Sequence, residues 1–226
     1  MIQVNDVGYT YQTKYQKVEV LKNVTCTFEY GKYYAIVGES GSGKSTFLSL
    51  LAGLDTPTIG EIVIDGVEIK NLNRDEYRSQ KAAMVYQSFY LFPLLTALEN
   101  VRFPLELNGL SKKKATEKAR LLLNQVGINE ELEKHYPRML SGGEQQRVAI
   151  ARAMATGGKI ILADEPTGNL DSKNEKIIVH LLAELVKKEN YMVIVVTHNP
   201  FVAEAADRIY HMQDGMLGEE KANVYL

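Results

Sequence analysis

The sequence predicts an α/β fold with a mostly parallel sheet, an antiparallel β subdomain on the N-terminal side and a helical lobe inserted between sheet strands. Three observations carry this reading. Short β-branched runs alternate with longer stretches at helical period. Several apolar runs are continuous, as strands covered on both faces are. Residues 89–155, between two such runs, carry helix-start signals in place of strand patterns.

Taken in order, Ile2-Gln3-Val4 opens as a strand and residues 24–28 alternate through Val24, Cys26 and Phe28. Ile62-Val63-Ile64 runs into Asp65-Gly66 and then Val67-Glu68-Ile69, and Asp-Gly between apolar alternations signals a hairpin. Four runs read as buried parallel strands: Tyr34-Ala35-Ile36-Val37, Ala82-Ala83-Met84-Val85-Tyr86, Ile160-Ile161-Leu162-Ala163 and Met192-Val193-Ile194-Val195-Val196. Each ends in polar chemistry, namely the Gly38 loop, Gln87, Asp164-Glu165 and Thr197-His198. Open parallel sheets bind ligands beyond the carboxyl ends of their strands. These endings are therefore the candidate site. Within the middle, Thr96-x-x-Glu99 and Ser141-x-x-Glu144 are capping boxes. Ser111 is expected to cap a helix over 112–126, with Ala115, Ala119, Leu122 and Val126 on one face and Gly127 as its stop. Asp171, with Ser172-x-x-Glu175 behind it, caps a helix to 187. No repeat, low-complexity tract or linker interrupts the chain. It reads as one domain, 1–226, with the lobe at about 89–155.

Composition narrows the class. Of 226 residues, 45% are hydrophobic, enough for a real core. The 26 basic and 28 acidic residues leave a net charge of −2, so no global field draws the chain to nucleic acid or an anionic membrane. The lone cysteine, Cys26, excludes an internal disulfide and lies on the apolar side of its alternation, where it packs as a small apolar residue. The opening Met1-Ile2-Gln3-Val4-Asn5-Asp6 lacks the basic and apolar regions of a secretory signal. No apolar run approaches the roughly 18–20 residues of a spanning helix. A cytosolic chain is the expectation.

Gly38-Glu39-Ser40-Gly41-Ser42-Gly43-Lys44-Ser45 matches G-x-x-x-x-G-K-[ST] and lies between an apolar strand and a helix over 44–52. Glycines let backbone N–H groups turn inward around phosphate oxygens. Lys44 brings a point charge to the β/γ-phosphates, and the Ser45 hydroxyl can ligate Mg²⁺. The positive end of the helix, from Lys44 through Thr46, faces the anion. Asp164 and Glu165 then have a purpose: Asp164 holds the ion, and Glu165 serves the attacking water as general base or orienting group. Leu140-Ser141-Gly142-Gly143-Glu144 begins a helix with two glycines that a capping box does not need. They cost about 1 kcal/mol each, which makes sense where backbone approaches a second anion.

With these residues in order, the chain resembles the ATPase subunit of ABC transporters over essentially its whole length. The phosphate loop resembles Walker A of the P-loop NTPases, residues 160–165 Walker B, and 140–144 the signature, with Glu144 where glutamine is commoner. Gln87 resembles the Q-loop glutamine, Asn169-Leu170-Asp171 the D-loop and His198 the H-loop histidine. The resemblance implies Mg²⁺ and ATP as cofactors and a head-to-tail homodimer. Each ATP would lie between one copy's phosphate loop and the other's Ser141, Gly142 and Gly143. His198 would contact the γ-phosphate, Gln87 would sense Mg²⁺, Asp171 would communicate across the dimer, and Tyr11 would stack on adenine, with Tyr9 and Tyr15 as neighbouring rivals. The partner implied is an integral membrane permease subunit that holds the chain at the inner face of the membrane; no nucleic acid is expected.

Gly168-Asn169 before Leu170-Asp171, and Ser88-Phe89-Tyr90-Leu91-Phe92-Pro93 after Gln87, are similar to the LolD/MacB branch of lipoprotein-releasing, macrolide-export and peptide-resistance ATPases. Cell-division ATPases of the FtsE type are also similar. The apolar stretch 89–95 is expected to dock a membrane partner or, alternatively, to pack the lobe. A GTPase would need an N-K-x-D motif, which is absent, and a kinase needs no Leu-Ser-Gly-Gly helix. Chromosomal or ribosomal relatives carry coiled-coil insertions or two cassettes. A non-hydrolysing module would not keep Glu165 and His198.

Overall fold

Two sheets organise the chain in the computed structural model, which describes residues 1–12 and 14–220. β1 (Ile2–Gln12) and β2 (Lys17–Phe28) pair antiparallel; both are longer than the sequence pattern suggested. β3 (Tyr33–Val37) leads into α1 (Lys44–Leu51), and β4 (Ile59–Ile64) turns into β5 (Val67–Glu68). Asp65 and Gly66 at that turn have φ of 50° and 84°, the left-handed pair a two-residue hairpin demands. α2 (Arg74–Gln80) and β6 (Ala82–Tyr86) follow. The lobe helices α3 (Ala97–Leu107), α4 (Lys112–Gln125) and α5 (Gly142–Ala155) come before β7 (Ile160–Asp164). Next are α6 (Ser172–Glu189), β8 (Met192–Thr197) and α7 (Pro200–Glu204), then the hairpin of β9 (Arg208–Gln213) and β10 (Met216–Glu220).

The antiparallel sheet has the order β2-β1-β4-β5, and the larger sheet β10-β9-β3-β8-β7-β6. All neighbours in the larger sheet run parallel except β9 and β10. Its register aligns the carboxyl ends: Val37 lies beside Thr197, Val196 beside Asp164, and Asp164 beside Tyr86. Residues 38, 87, 165 and 198 therefore leave the sheet along one edge.

Each face of the larger sheet has its own core. Met192, Ile194 and Val196 of β8 point into one, with Phe28, Phe47 and Ile62 from the β-subdomain and α1. Val193 and Val195 point into the other, with Ala151, Leu182 and Val85. Burial on both faces is why β8 reads as an unbroken apolar run.

The capping boxes at Thr96 and Ser141 form, but the Ser111 side chain makes no cap hydrogen bond at the start of α4. The buried stripe of α4 runs through Ala115, Ala119 and Leu123, and Leu122 is only partly covered. β9 and β10 lay outside the sequence reading. Their signal was present: Asp214-Gly215 is a second Asp-Gly turn with φ of 50° and 80°, and Tyr210 and Met212 alternate inward.

Candidate active site

The loop after β3 wraps a space that backbone alone can line. Gly41 and Gly43 have φ of 80° and 108°, which side chains resist. Gly38 is required for another reason, since a Cβ there would sit 2.1 Å from the carbonyl oxygen of Met212 on β9. No side chain caps the first turn of α1, which leaves its N–H groups for an anion. Lys44 is 8% exposed and its Nζ donates to the carbonyls of Gly38 and Glu39, both at 2.7 Å. The ammonium is thus folded across the loop mouth. Ser42 turns the other way, its Oγ buried without a hydrogen-bond partner among the described residues.

The acids stand opposite. Ser45 Oγ donates to Asp164 Oδ1 at 3.1 Å, linking the start of α1 to the end of β7. Burial pushes the Asp164 carboxyl above its ordinary range and the Glu165 charge adds to this, while the Ser45 hydrogen bond and Lys44 oppose it. A half-buried carboxylate beside a hydroxyl is a hard oxygen pair, which suits Mg²⁺. Among the described residues no cluster of three or more His, Cys, Asp or Glu could hold a metal alone. The fit is therefore to an ion that takes its remaining ligands from phosphate and water, the usual arrangement for Mg²⁺.

Glu165 turns away from Asp164 through a left-handed backbone, φ 47°, while its N–H donates to Val196 O at 2.9 Å. The turn aims its carboxylate at the end of β8. There Oε1 accepts from His198 N at 3.1 Å and lies 2.7 Å from His198 Nδ1, and Oε2 accepts from Thr197 Oγ1 at 3.2 Å. With Nδ1–H donated to Glu165, Nε2 of the largely exposed ring remains for a ligand. Thr197, which the sequence marked only as part of a polar strand ending, is fully buried.

These groups share one cleft of about 670 Å³, a size ordinary for a small-molecule site. Gly38, Ser40, Gly41, Gly43, Lys44, Ser45 and Thr46 line one wall, and Gln87, Asp164, Glu165 and His198 the other. Val20 and Val196 add an apolar strip that the sequence did not reveal. Tyr11 stands at the margin, 48% exposed, with its hydroxyl 3.4 Å from Thr46 Oγ1. Of its rivals, Tyr9 is buried with its hydroxyl bonded to Asp55, and Tyr15 is 90% exposed.

Ser141, Gly142, Gly143 and Asp171 do not line this cleft. Ser141 and Glu144 are bonded to each other in the capping box, Ser141 N donating to Glu144 Oε2 at 2.7 Å. Gly143 was expected to admit an anion, but its first requirement is internal. A Cβ there would lie 2.0 Å from Asn174 Oδ1, at the start of α6. Asn174 in turn donates to Asp171 through its backbone N at 2.8 Å and through Nδ2 at 2.9 Å. These bonds hold the Asp171 carboxyl below its ordinary range. The signature glycine Gly143 and Asp171 thus pack together through Asn174, outside the cleft lining.

The family described as ABC transporter matches residues 21–168. The lipoprotein-releasing system ATP-binding protein LolD of Legionella pneumophila (strain Paris) is 46% identical over 95% of this chain and 98% of its own length. The macrolide export ATP-binding/permease protein MacB of Rhodopirellula baltica is 42% identical over 97% of this chain, but only 33% of that protein. The dimeric post-hydrolysis structure of the cassette MJ0796 of Methanocaldococcus jannaschii, bound to ADP and Pi, superposes with a TM-score of 0.90 at 40% identity over 100% of both chains. The chain belongs to the ABC transporter family, as an ATP-binding and ATP-hydrolysing subunit.

Proposed function

We propose that the cleft binds ATP with Mg²⁺ and completes its active site only when a second copy, packed head to tail, presents Ser141, Gly142 and Gly143 to the nucleotide. One observation carries this reading: the cleft gathers the phosphate loop, both acids, Gln87 and His198, yet excludes the signature of its own chain. The solved MJ0796 cassettes are described as dimers, which supports the pairing.

In this reading the loop N–H groups, Lys44 and Thr46 bind the phosphates and Tyr11 stacks on adenine. Ser40, Gly41 and Gly43 serve through backbone, and so does Ser42, whose hydroxyl is buried away from the cleft. Ser45, Asp164 and Gln87 would hold Mg²⁺. Held there, Mg²⁺ would supply positive charge against the β- and γ-phosphates. Glu165 takes the proton of the attacking water or orients it, held in place by Thr197 and His198. His198 presents Nε2 to the γ-phosphate, and Asp171 reads the state of the second copy.

The work is done on an integral membrane permease subunit at the cytoplasmic face of the membrane. No helix among the described residues is long and apolar enough to cross a membrane itself. The loop 89–95 supports a docking role because its exposed side chains ride on a fixed backbone. Tyr90 and Leu94 are 64% and 86% exposed. Arg152 donates to the carbonyls of Phe89 and Tyr90, and buried Asn100 bonds Phe92 N, Phe92 O and Leu95 O. Likeness to LolD and MacB supports extrusion or mechanical work as the task.

The test is Glu165→Gln. ATP binding should persist and a nucleotide-dependent dimer should accumulate, while turnover falls by about 10²–10⁴, the contribution of a general base. Turnover at the parent rate would remove Glu165 from this role.

A further inference from the structure

Gln87 carries an amide, and a metal distinguishes its two ends: the oxygen is a ligand and the NH₂ group is not. Something has to decide which end faces the cleft. The structure holds a device for this. Asn169 Nδ2 donates to the backbone oxygen of Gln87 at 3.1 Å. A backbone carbonyl accepts only, so this bond fixes the orientation of the Asn169 amide. Its Oδ1 is then the acceptor, and Gln87 Nε2 donates to it at 3.1 Å. The second bond fixes the Gln87 amide in turn. Nε2 is committed to Asn169, and Oε1 is the atom left for the cleft that Gln87 lines. Gly168 gives this clamp room, since a Cβ there would lie 2.7 Å from Gln87 Nε2.

We propose that Asn169 is a positioning residue that locks Gln87 with its amide oxygen toward the metal, so that D-loop and metal site are joined through one pair of side chains. The inference rests on the reading of Gln87 as a metal contact. It gives Asn169 a task distinct from that of Asp171, whose bonds go to Asn174. Alanine at 169 removes both bonds and frees the Gln87 amide to present either end. Leucine at 169, similar in size but with neither donor nor acceptor, would do the same.

The test uses the full chain with Mn²⁺ as the probe and a saturating non-hydrolysable ATP analogue. Free Mn²⁺ is read by electron paramagnetic resonance, and analogue binding is measured separately in chelator. Asn169→Ala should weaken Mn²⁺ binding about tenfold, the lower end for loss of a group that orients a ligand, with metal-free nucleotide affinity unchanged. Asn169→Leu, of similar size but with neither donor nor acceptor, should weaken Mn²⁺ binding alike. Gln87→Ala should weaken Mn²⁺ binding at least as much, and adding Asn169→Ala to it should cost nothing further. Parent-like Mn²⁺ affinity in Asn169→Ala, with Gln87→Ala impaired, overturns the clamp alone. An Asn169 effect that persists without Gln87 also overturns it, because the side chain then acts by another route. Unchanged Mn²⁺ affinity in Gln87→Ala refutes the underlying reading of Gln87.

Discussion

Replacing Gly143 with alanine sets two effects against each other, and the structure decides the sign. Ala is a better helix residue than Gly by about 1 kcal/mol in a helix interior, and less in the first turn where Gly143 lies. Against this, the new Cβ would sit 2.0 Å from Asn174 Oδ1, 2.3 Å from its Cγ and 2.9 Å from its Cβ. Rotating the Asn174 side chain relieves the first two contacts but gives up its bond to Asp171, worth about 0.5–1.5 kcal/mol. The third contact cannot be rotated away. It requires a shift of α6 against α5, for which overpacking costs of about 1–3 kcal/mol are the guide. The net expectation is a loss of about 1–4 kcal/mol, or about 2–16 °C in Tm for a chain of this size. Urea unfolding and calorimetry without nucleotide measure it. In an Asn174→Gly background all three contacts vanish, and the same Ala should become neutral or stabilising. Gly142→Ala is the neighbouring control, since its Cβ would meet nothing closer than Leu170 Cδ2 at 3.4 Å. A single Gly143→Ala variant more stable than the parent would refute the claim that Asn174 dictates this glycine.

Other expectations concern positioning, pH and coupling. Thr197→Val removes one of the bonds that orient Glu165 and should lower kcat about fivefold to tenfold, one hydrogen bond's worth, with KM for ATP little changed; Thr197→Ser should restore it, and a parent-like kcat for the valine variant would dismiss the role. Glu99 is held below the ordinary carboxylate range by the Thr96 backbone N–H, against some burial and with help from the Thr96 hydroxyl and Arg102. Its folded pKa is depressed, so its stabilisation is present above the unfolded value near 4.5 and fades as pH falls through the folded value. The urea midpoint gap between parent and Glu99→Gln should accordingly be open at pH 7 and close toward pH 3; a gap unchanged with pH would contradict this. Leu94→Glu should abolish partner-stimulated turnover in a reconstituted complex while ATP binding by the isolated chain is kept, and intact stimulation would rule out loop 89–95 as the dock.

Much of this was legible because it is local or periodic. The phosphate loop announces itself through glycines whose φ values side chains resist, followed at once by Lys44 and Ser45. The parallel strands were readable because burial on two faces leaves no polar position until the strand ends. What escaped has no local signature. Thr197 and Glu165 are 32 residues apart, and Asn169 and Gln87 are 82 apart, so only the parallel register brings each pair together. Ser111 had the right position for a cap, but its side chain does not make the bond. The reason for Gly143 was equally hidden, because the atom that requires it belongs to another helix.

The central strand β8 has no face to spare. All six of its side chains are buried, and the five from Met192 to Val196 alternate between two cores. Sequence drift there is confined to exchanges that keep volume on both sides at once. A swap that crowds one core cannot be relieved by leaning the strand toward the other, which is equally full. The edge strand β6 is under less constraint, with Met84 and Tyr86 only partly covered. Mutational tolerance should therefore rise from the middle of this sheet outward. A library that randomises β8 should return few active clones, nearly all of matched size, whereas one that randomises the outer positions of β6 should return many.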